Sequence, residues 1–201
     1  MGRILKPDDI SKRVPPGQYL TTKFPVLTYG PVPRFNPQTW DFRVLGEVEQ
    51  ELKFNYEQFR ALPRSRMVAD FHCVTTWSRL DNVWEGVKVE DLMKLVKLKP
   101  DARFVLIHCD GGYTTNLPLQ YFLDHDVMLA DRHDGQDLTP DHGFPLRLVV
   151  PKLYAWKSAK WVRAIEFLAR DVRGFWEVRG YHNRADPWLE ERYSFQEESE
   201  E

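Results

Sequence analysis

Asp141-His142-Gly143-Phe144-Pro145-Leu146-Arg147-Leu148-Val149-Val150-Pro151, followed after a short turn by Lys157-Ser158-Ala159-Lys160-Trp161, is the stretch on which the reading of this chain turns. Leu146 to Val150 is an apolar, β-branched run that reads as a buried strand, and Pro151 stops it because proline has no N–H to give a sheet. Arg147, Lys157 and Lys160 lie close in sequence to Gly143 and Ser158, in a loop, strand, loop order suited to gripping a phosphate and its attached ring. Arginine can take phosphate oxygens two at a time, and lysine acts as a compact charge. On pattern alone the same residues also fit solvated charges flanking a core strand.

Outward from this stretch the chain is mostly short strands. Trp161 to Phe167 reads as a strand, Val127 to Ala130 as another, and Phe104 to His108 as a third. Trp40, Phe42 and Val44 alternate with Asp41, Arg43 and Leu45 before Gly46, and a short strand at Glu51 to Phe54 pairs with them. Met67 to Val74 is a strand that delivers Cys73 at or near its end. Helices are short: Tyr56 to Leu62 ending at Pro63, Val89 to Val96 with apolar residues at spacings of three and four, and Leu117 to Phe122. Residues 1–40 carry seven prolines and read as an extended arm, and 196–201 as a solvated acidic tail. The pattern predicts one α+β domain, mixed and strand-rich, spanning residues 1–201.

Charge and composition exclude several classes. With 28 Lys plus Arg against 30 Asp plus Glu, the net charge of -2 provides no general field for nucleic acid or an anionic membrane. No stretch near the start is apolar enough for a signal peptide or a membrane span, which predicts a cytoplasmic protein with no membrane segment. Cys73 and Cys109 have neither CxxC spacing nor the numbers of a disulfide scaffold. The first lies in Asp70-Phe71-His72-Cys73-Val74-Thr75-Thr76-Trp77-Ser78, among hydroxyl and aromatic side chains. A thiolate there is a soft metal ligand, although a lone cysteine reads as readily as a buried core thiol.

With these two segments the chain resembles the molybdopterin-binding catalytic domain shared by sulfite oxidases, plant nitrate reductases and bacterial sulfoxide reductase catalytic subunits. The resemblance runs over roughly residues 23–165. It is supported by Tyr29-Gly30-Pro31-Val32-Pro33, the Trp40 strand, Trp84-Glu85-Gly86, Gly111-Gly112-Tyr113 through Leu117-Pro118-Leu119, and Asp134-Gly135-Gln136-Asp137-Leu138. It implies the sulfite oxidase fold, a molybdenum–pterin cofactor, and Cys73 as the metal ligand. His142 and Arg147 match positions that grip the pterin and its phosphate. Lys157, with Ala155 and Trp156, matches the loop closing on the cofactor, and Ser158 and Lys160 share its signature. Leu27, Thr28 and Tyr29 match the part of the arm passing the pterin, and His108 is a further position from a neighbouring strand. Cys109 matches no role and reads as core.

The departures concern the substrate. Where sulfite oxidases place a tyrosine beside the metal, the matching residue is Asp131, and an arginine of their arm matches Leu27. Losing a phenol and a cation while gaining a carboxylate disfavours an anion such as sulfite. The resemblance therefore implies oxygen-atom transfer to or from a small S- or N-oxide substrate, with Asp131 as a proton relay and Arg79 as a compensating charge or a surface ion-pair partner. The matched region stands without a heme domain, so electrons are expected from a separate electron-transfer protein or carrier. The rival reading is a molybdopterin-binding or carrier protein without turnover.

Overall fold

Residues 11–197 are described by a computed structural model of the chain. Between residues 12 and 40 the backbone is turned or irregular, as proline density requires, and joins a sheet at β1 (Tyr19–Leu20). Trp40, Phe42 and Val44 are all buried, so β2 (Asp41–Gly46) turns one face to the core. Fully burying a side chain such as Phe42 contributes roughly 1.5–3 kcal/mol. β3 (Leu52–Asn55) returns antiparallel, with Phe54 opposite Phe42.

α1 (Tyr56–Arg60) starts at Asn55, whose side chain accepts the Gln58 N–H while Gln58 accepts the Asn55 N–H in return. β4 (Ser65–His72) and β5 (Trp77–Lys88) form a hairpin, followed by α2 (Val89–Leu92) and a 3₁₀ turn at Met93–Leu95. The remaining elements are β6 (Phe104–Cys109), β7 (Thr114–Pro118), α3 (Leu119–Phe122), β8 (Met128–His133), β9 (Gln136–Asp137), β10 (Arg147–Val149) and β11 (Val162–Leu168).

Two sheets result. One runs β3-β2-β11-β6-β7, with β11 parallel to β2; the other runs β1-β5-β8-β10, with β4 also on β5 and β9 also on β8. The main core joins Phe42, Ile107, Ile165 and Phe167 of the first sheet to Val87, Leu129 and Leu148 of the second. A second core of Met67, Phe71, Cys73, Trp77, Trp84, Met128, Ala130 and Val149 packs Phe24 of the arm. Successive residues of β8 and β10 enter opposite cores, so the second sheet is buried on both faces.

The fold is the mixed, strand-rich domain with few and short helices that the pattern predicts. Several local expectations differ. Leu117 is not helical but sits in β7 opposite Val105, because its buried face belongs to the sheet. The long strand β5 escapes pattern reading: Ser78 and Asn82 are buried polar residues within it, and a register shift at Glu85/Gly86 breaks the alternation. Asp41, expected on a solvent face, is only 8% exposed because Arg43, Lys53 and Arg163 pair with it. Of the expected acidic tail, residues 198–201 lie outside the described residues. Glu197 is not merely solvated, since its carboxylate holds Arg173 and the Asn183 N–H. Residues 1–10 of the expected arm also lie outside the described residues.

Candidate cofactor site

The β4–β5 hairpin decides where Cys73 goes. Its N–H donates to Trp77 O at 2.9 Å and its carbonyl accepts the Thr76 N–H at 3.0 Å, a tight turn in which Thr76 takes φ 73°. The thiol is free, 5% exposed, and 3.2 Å from the Thr75 hydroxyl oxygen. Burial pushes its pKa up, while Thr75 and the nearby Arg192 charge pull it down. Arg192 also donates to Val74 O, and Gln18 to Cys73 O at 3.2 Å, so side chains from both ends of the chain fix the turn.

Cys73 opens into a cavity of about 500 Å³. Arg147, from β10, lines the same space. It is 3% exposed, its guanidinium lies 5.2 Å from the Phe71 and Trp84 ring centres, and it donates to His142 O and Ser158 O at 3.0 Å. Burial lowers its pKa to about 9; no carboxylate among the described residues pairs with it, and its Nε has no acceptor. Lys160 Nζ donates to Leu27 O, Thr28 Oγ1 and Asp141 O at 2.6–2.9 Å, again without a carboxylate partner among the described residues. Burial and Arg147 lower its pKa to about 8. Gly143 has φ 112°, and a Cβ there would lie 3.0 Å from Arg147 Cβ and 3.2 Å from Lys160 Cβ, so glycine lets these two side chains converge. His142 stacks on Phe24 at 4.2 Å, and burial with Arg147 and Lys160 lowers its pKa to about 4, leaving a neutral ring.

The lining thus unites Cys73, Leu27, Thr28, Tyr29, His142, Arg147, Ala155, Trp156, Ser158 and Lys160. Three expected residues lie elsewhere. Lys157 is fully buried behind the Trp156 loop, 2.6 Å from Glu177 and 2.8 Å from Asn116 O. His108 is on the first sheet and bonds Glu166 at 2.7 Å, because β6 turns Ile107 and Cys109, not His108, into the core. Asp131 follows Ala130 on β8 and so leaves the Cys73 side of the sheet; Arg60, at 2.6 Å, and Arg64 neutralise it. Arg79 pairs with Asp134 and is not in the lining. Sequence reading missed Phe24, Phe71, Tyr113, Phe175 and Tyr181 as lining residues. The cluster of Phe175, Trp176 and Tyr181 was the available signal for the last two.

Residues 29–176 match the family described as oxidoreductase molybdopterin binding domain. The chain belongs to this family. The oxidoreductase YuiH of Bacillus subtilis strain 168 is 49% identical over 188 residues, covering 93% of this chain and 95% of that protein. The catalytic subunit MsrP of a protein-methionine-sulfoxide reductase from Campylobacter jejuni is 30% identical, over 71% of this chain and 54% of its own length. This chain therefore spans about half of that subunit. The sulfane dehydrogenase SoxCD of Paracoccus pantotrophus shares the fold, with a TM-score of 0.67 at 23% identity over 78% of this chain and 46% of that one.

Members of the molybdopterin-binding family, of which sulfite oxidase is one, are molybdenum–pterin oxidoreductases, and this chain is an enzyme of that kind. Its cavity fits the group. A buried cation whose Nε lacks an acceptor, beside a second unpaired cation, calls for an anion, and a free soft ligand opens into the same space. No helix among the described residues is long and apolar enough to cross a membrane.

Proposed function

We propose that this chain holds molybdenum through Cys73 and moves an oxygen atom to or from a small, uncharged S- or N-oxide. The observation that carries the reading is the free, buried Cys73 sharing one cavity with Arg147 and Lys160, two cations without carboxylate partners among the described residues. Arg147, Lys160, Ser158, Thr28 and the Ala155–Trp156 backbone hold the phosphate and pterin, with neutral His142 beside them. When bound, the cofactor supplies two-electron oxygen-atom transfer. Reducing a sulfoxide takes two electrons and two protons and releases the thioether and one water. The electrons come from a separate electron-transfer protein or small carrier.

The preference for an uncharged oxide rests on the residues around the thiol. Val74, Thr75 and Trp77 flank Cys73 in the lining and carry no charge, while Arg147 and Lys160 are taken up by the cofactor's phosphate in this reading. Sulfite or nitrate would lose much of its hydration there without a free cation in exchange. The resemblance to a methionine-sulfoxide reductase subunit supports the same class. Asp131, outside the lining, has no part in this proposal.

The test is elemental and pterin analysis of wild type and Cys73→Ser, both produced with ample molybdate, followed by turnover of sulfoxides, amine N-oxides, nitrate and sulfite. Near-stoichiometric metal and pterin in wild type, an altered or lost metal centre in the mutant, and turnover confined to uncharged oxides are expected. Folded wild type that takes up neither metal nor pterin, or that turns over only the anions, overturns the reading.

A further inference from the structure

Arg192 touches the Cys73 turn without lining the cavity. It comes from the C-terminal segment, beyond the residues 29–176 that match the family. Its guanidinium donates to Val74 O, on the residue next to Cys73. The rest of Arg192 is held as well. Its backbone N–H donates to Gln196 Oε1 at 2.9 Å, its carbonyl accepts the His182 N–H at 3.1 Å, and its guanidinium lies 5.1 Å from the Tyr154 ring centre. With its side chain only 14% exposed, this is a fixed cation in a site that screens its field weakly.

Its counter-charge is loose. Glu190 stands 3.7 Å away with its side chain 48% exposed, so the carboxylate offsets only part of the cation. The charge of Arg192 accordingly reaches the sulfur, pulling the Cys73 thiol down against the effect of burial. Gln18 and Thr75, which also bond Cys73, bring no charge. A cation held beside a metal-bound thiolate favours the state of the metal that carries the extra electron, as groups around a ligand do when they tune its centre. We infer that Arg192 is a positioning residue that fixes the Cys73 turn and, as a cation beside the ligand, raises the reduction potential of the metal. This rests on the proposed function and adds a control on how readily the centre takes electrons from its carrier. Glu190 acts on the same potential with the opposite sign and a smaller effect.

The experiment compares loaded wild type with Arg192→Gln, Arg192→Lys and Glu190→Gln. Molybdenum and pterin content is measured for each, and the midpoint potential of the metal is read by titrating its paramagnetic resonance signal. Metal and pterin contents like those of wild type are expected throughout, with the midpoint lower in Arg192→Gln, higher by a smaller shift in Glu190→Gln, and nearer to wild type in Arg192→Lys than in Arg192→Gln. A turn that merely loosened would not move the two charge-removing variants in opposite directions. Midpoints unchanged in both Arg192→Gln and Glu190→Gln overturn the inference alone. Equal shifts in Arg192→Gln and Arg192→Lys overturn it too, by assigning the effect to the hydrogen bond on Val74 O. Should Arg192→Gln fail to fold or lose its metal, Glu190→Gln decides: a raised midpoint supports the inference and an unchanged one overturns it. Cys73→Ser that keeps the wild-type signal and midpoint overturns the functional reading and this inference together.

Discussion

Lys157 and Lys160 are three positions apart, and the fold uses them in opposite ways. The Lys160 amine reaches the cavity wall, whereas Lys157 is fully buried against Glu177, which also accepts the Thr115 hydroxyl at 2.9 Å and the Trp156 indole N–H at 3.0 Å. Burial lowers the Lys157 pKa and Glu177 opposes the fall. Breaking such a pair strands a buried charge. Lys157→Met is therefore expected to cost roughly 3–5 kcal/mol, and Lys157→Met with Glu177→Leu to recover part of it, in urea unfolding of the three proteins. A double variant no more stable than the single one would show that Glu177 acts through Trp156 and Thr115 instead. The Lys-Ser-Ala-Lys-Trp motif was legible in the sequence, but not this division of labour, because Glu177 approaches from a distant turn.

At the scale of elements, strand alternation explains both the site and its absentees. On β10, Arg147 and Val149 face the arm side while Leu148 enters the main core; on β8, Ala130 faces Cys73 and Asp131 does not. A one-residue difference in register therefore removes Asp131 from the cavity, and a motif match carries no information about that choice of face. The arm pairs with β5 only at β1, and its stretch past the cavity, residues 24–31, is held instead by Phe24 in the second core and by Lys160. Lys160→Met is expected to raise proteolytic cleavage within residues 24–31 and to lower retained pterin, with hydrogen exchange in β8 and β11 unchanged. Unchanged cleavage in the arm would show that Phe24, stacked on His142, is sufficient to hold it.

For the whole molecule, burial of the second sheet on both faces makes folding sensitive to acid. His133 lies against Trp84 at 4.4 Å, and burial lowers its pKa to about 4 from an ordinary 6.5. Over that window the unfolded chain takes up a proton that the folded protein refuses, so stability falls as pH drops from 6.5 and the slope vanishes below about 4. Urea midpoints between pH 7 and 4 are expected to show this, with His133→Gln giving a shallower fall. An unchanged slope in that variant would move the effect to His72 and His142, whose pKa burial also lowers to about 4, or to His182, which burial also lowers. Sequence by itself determined the strand-rich class, the apolar runs of the core, and the two motifs that bring Cys73 and the basic residues to notice, since period and residue chemistry are local properties. Only tertiary structure decided which of those residues share a cavity, that Asp131, His108 and Lys157 do not, and that Tyr181 does, because strand register and long-range approach between residues more than a hundred positions apart are set by packing.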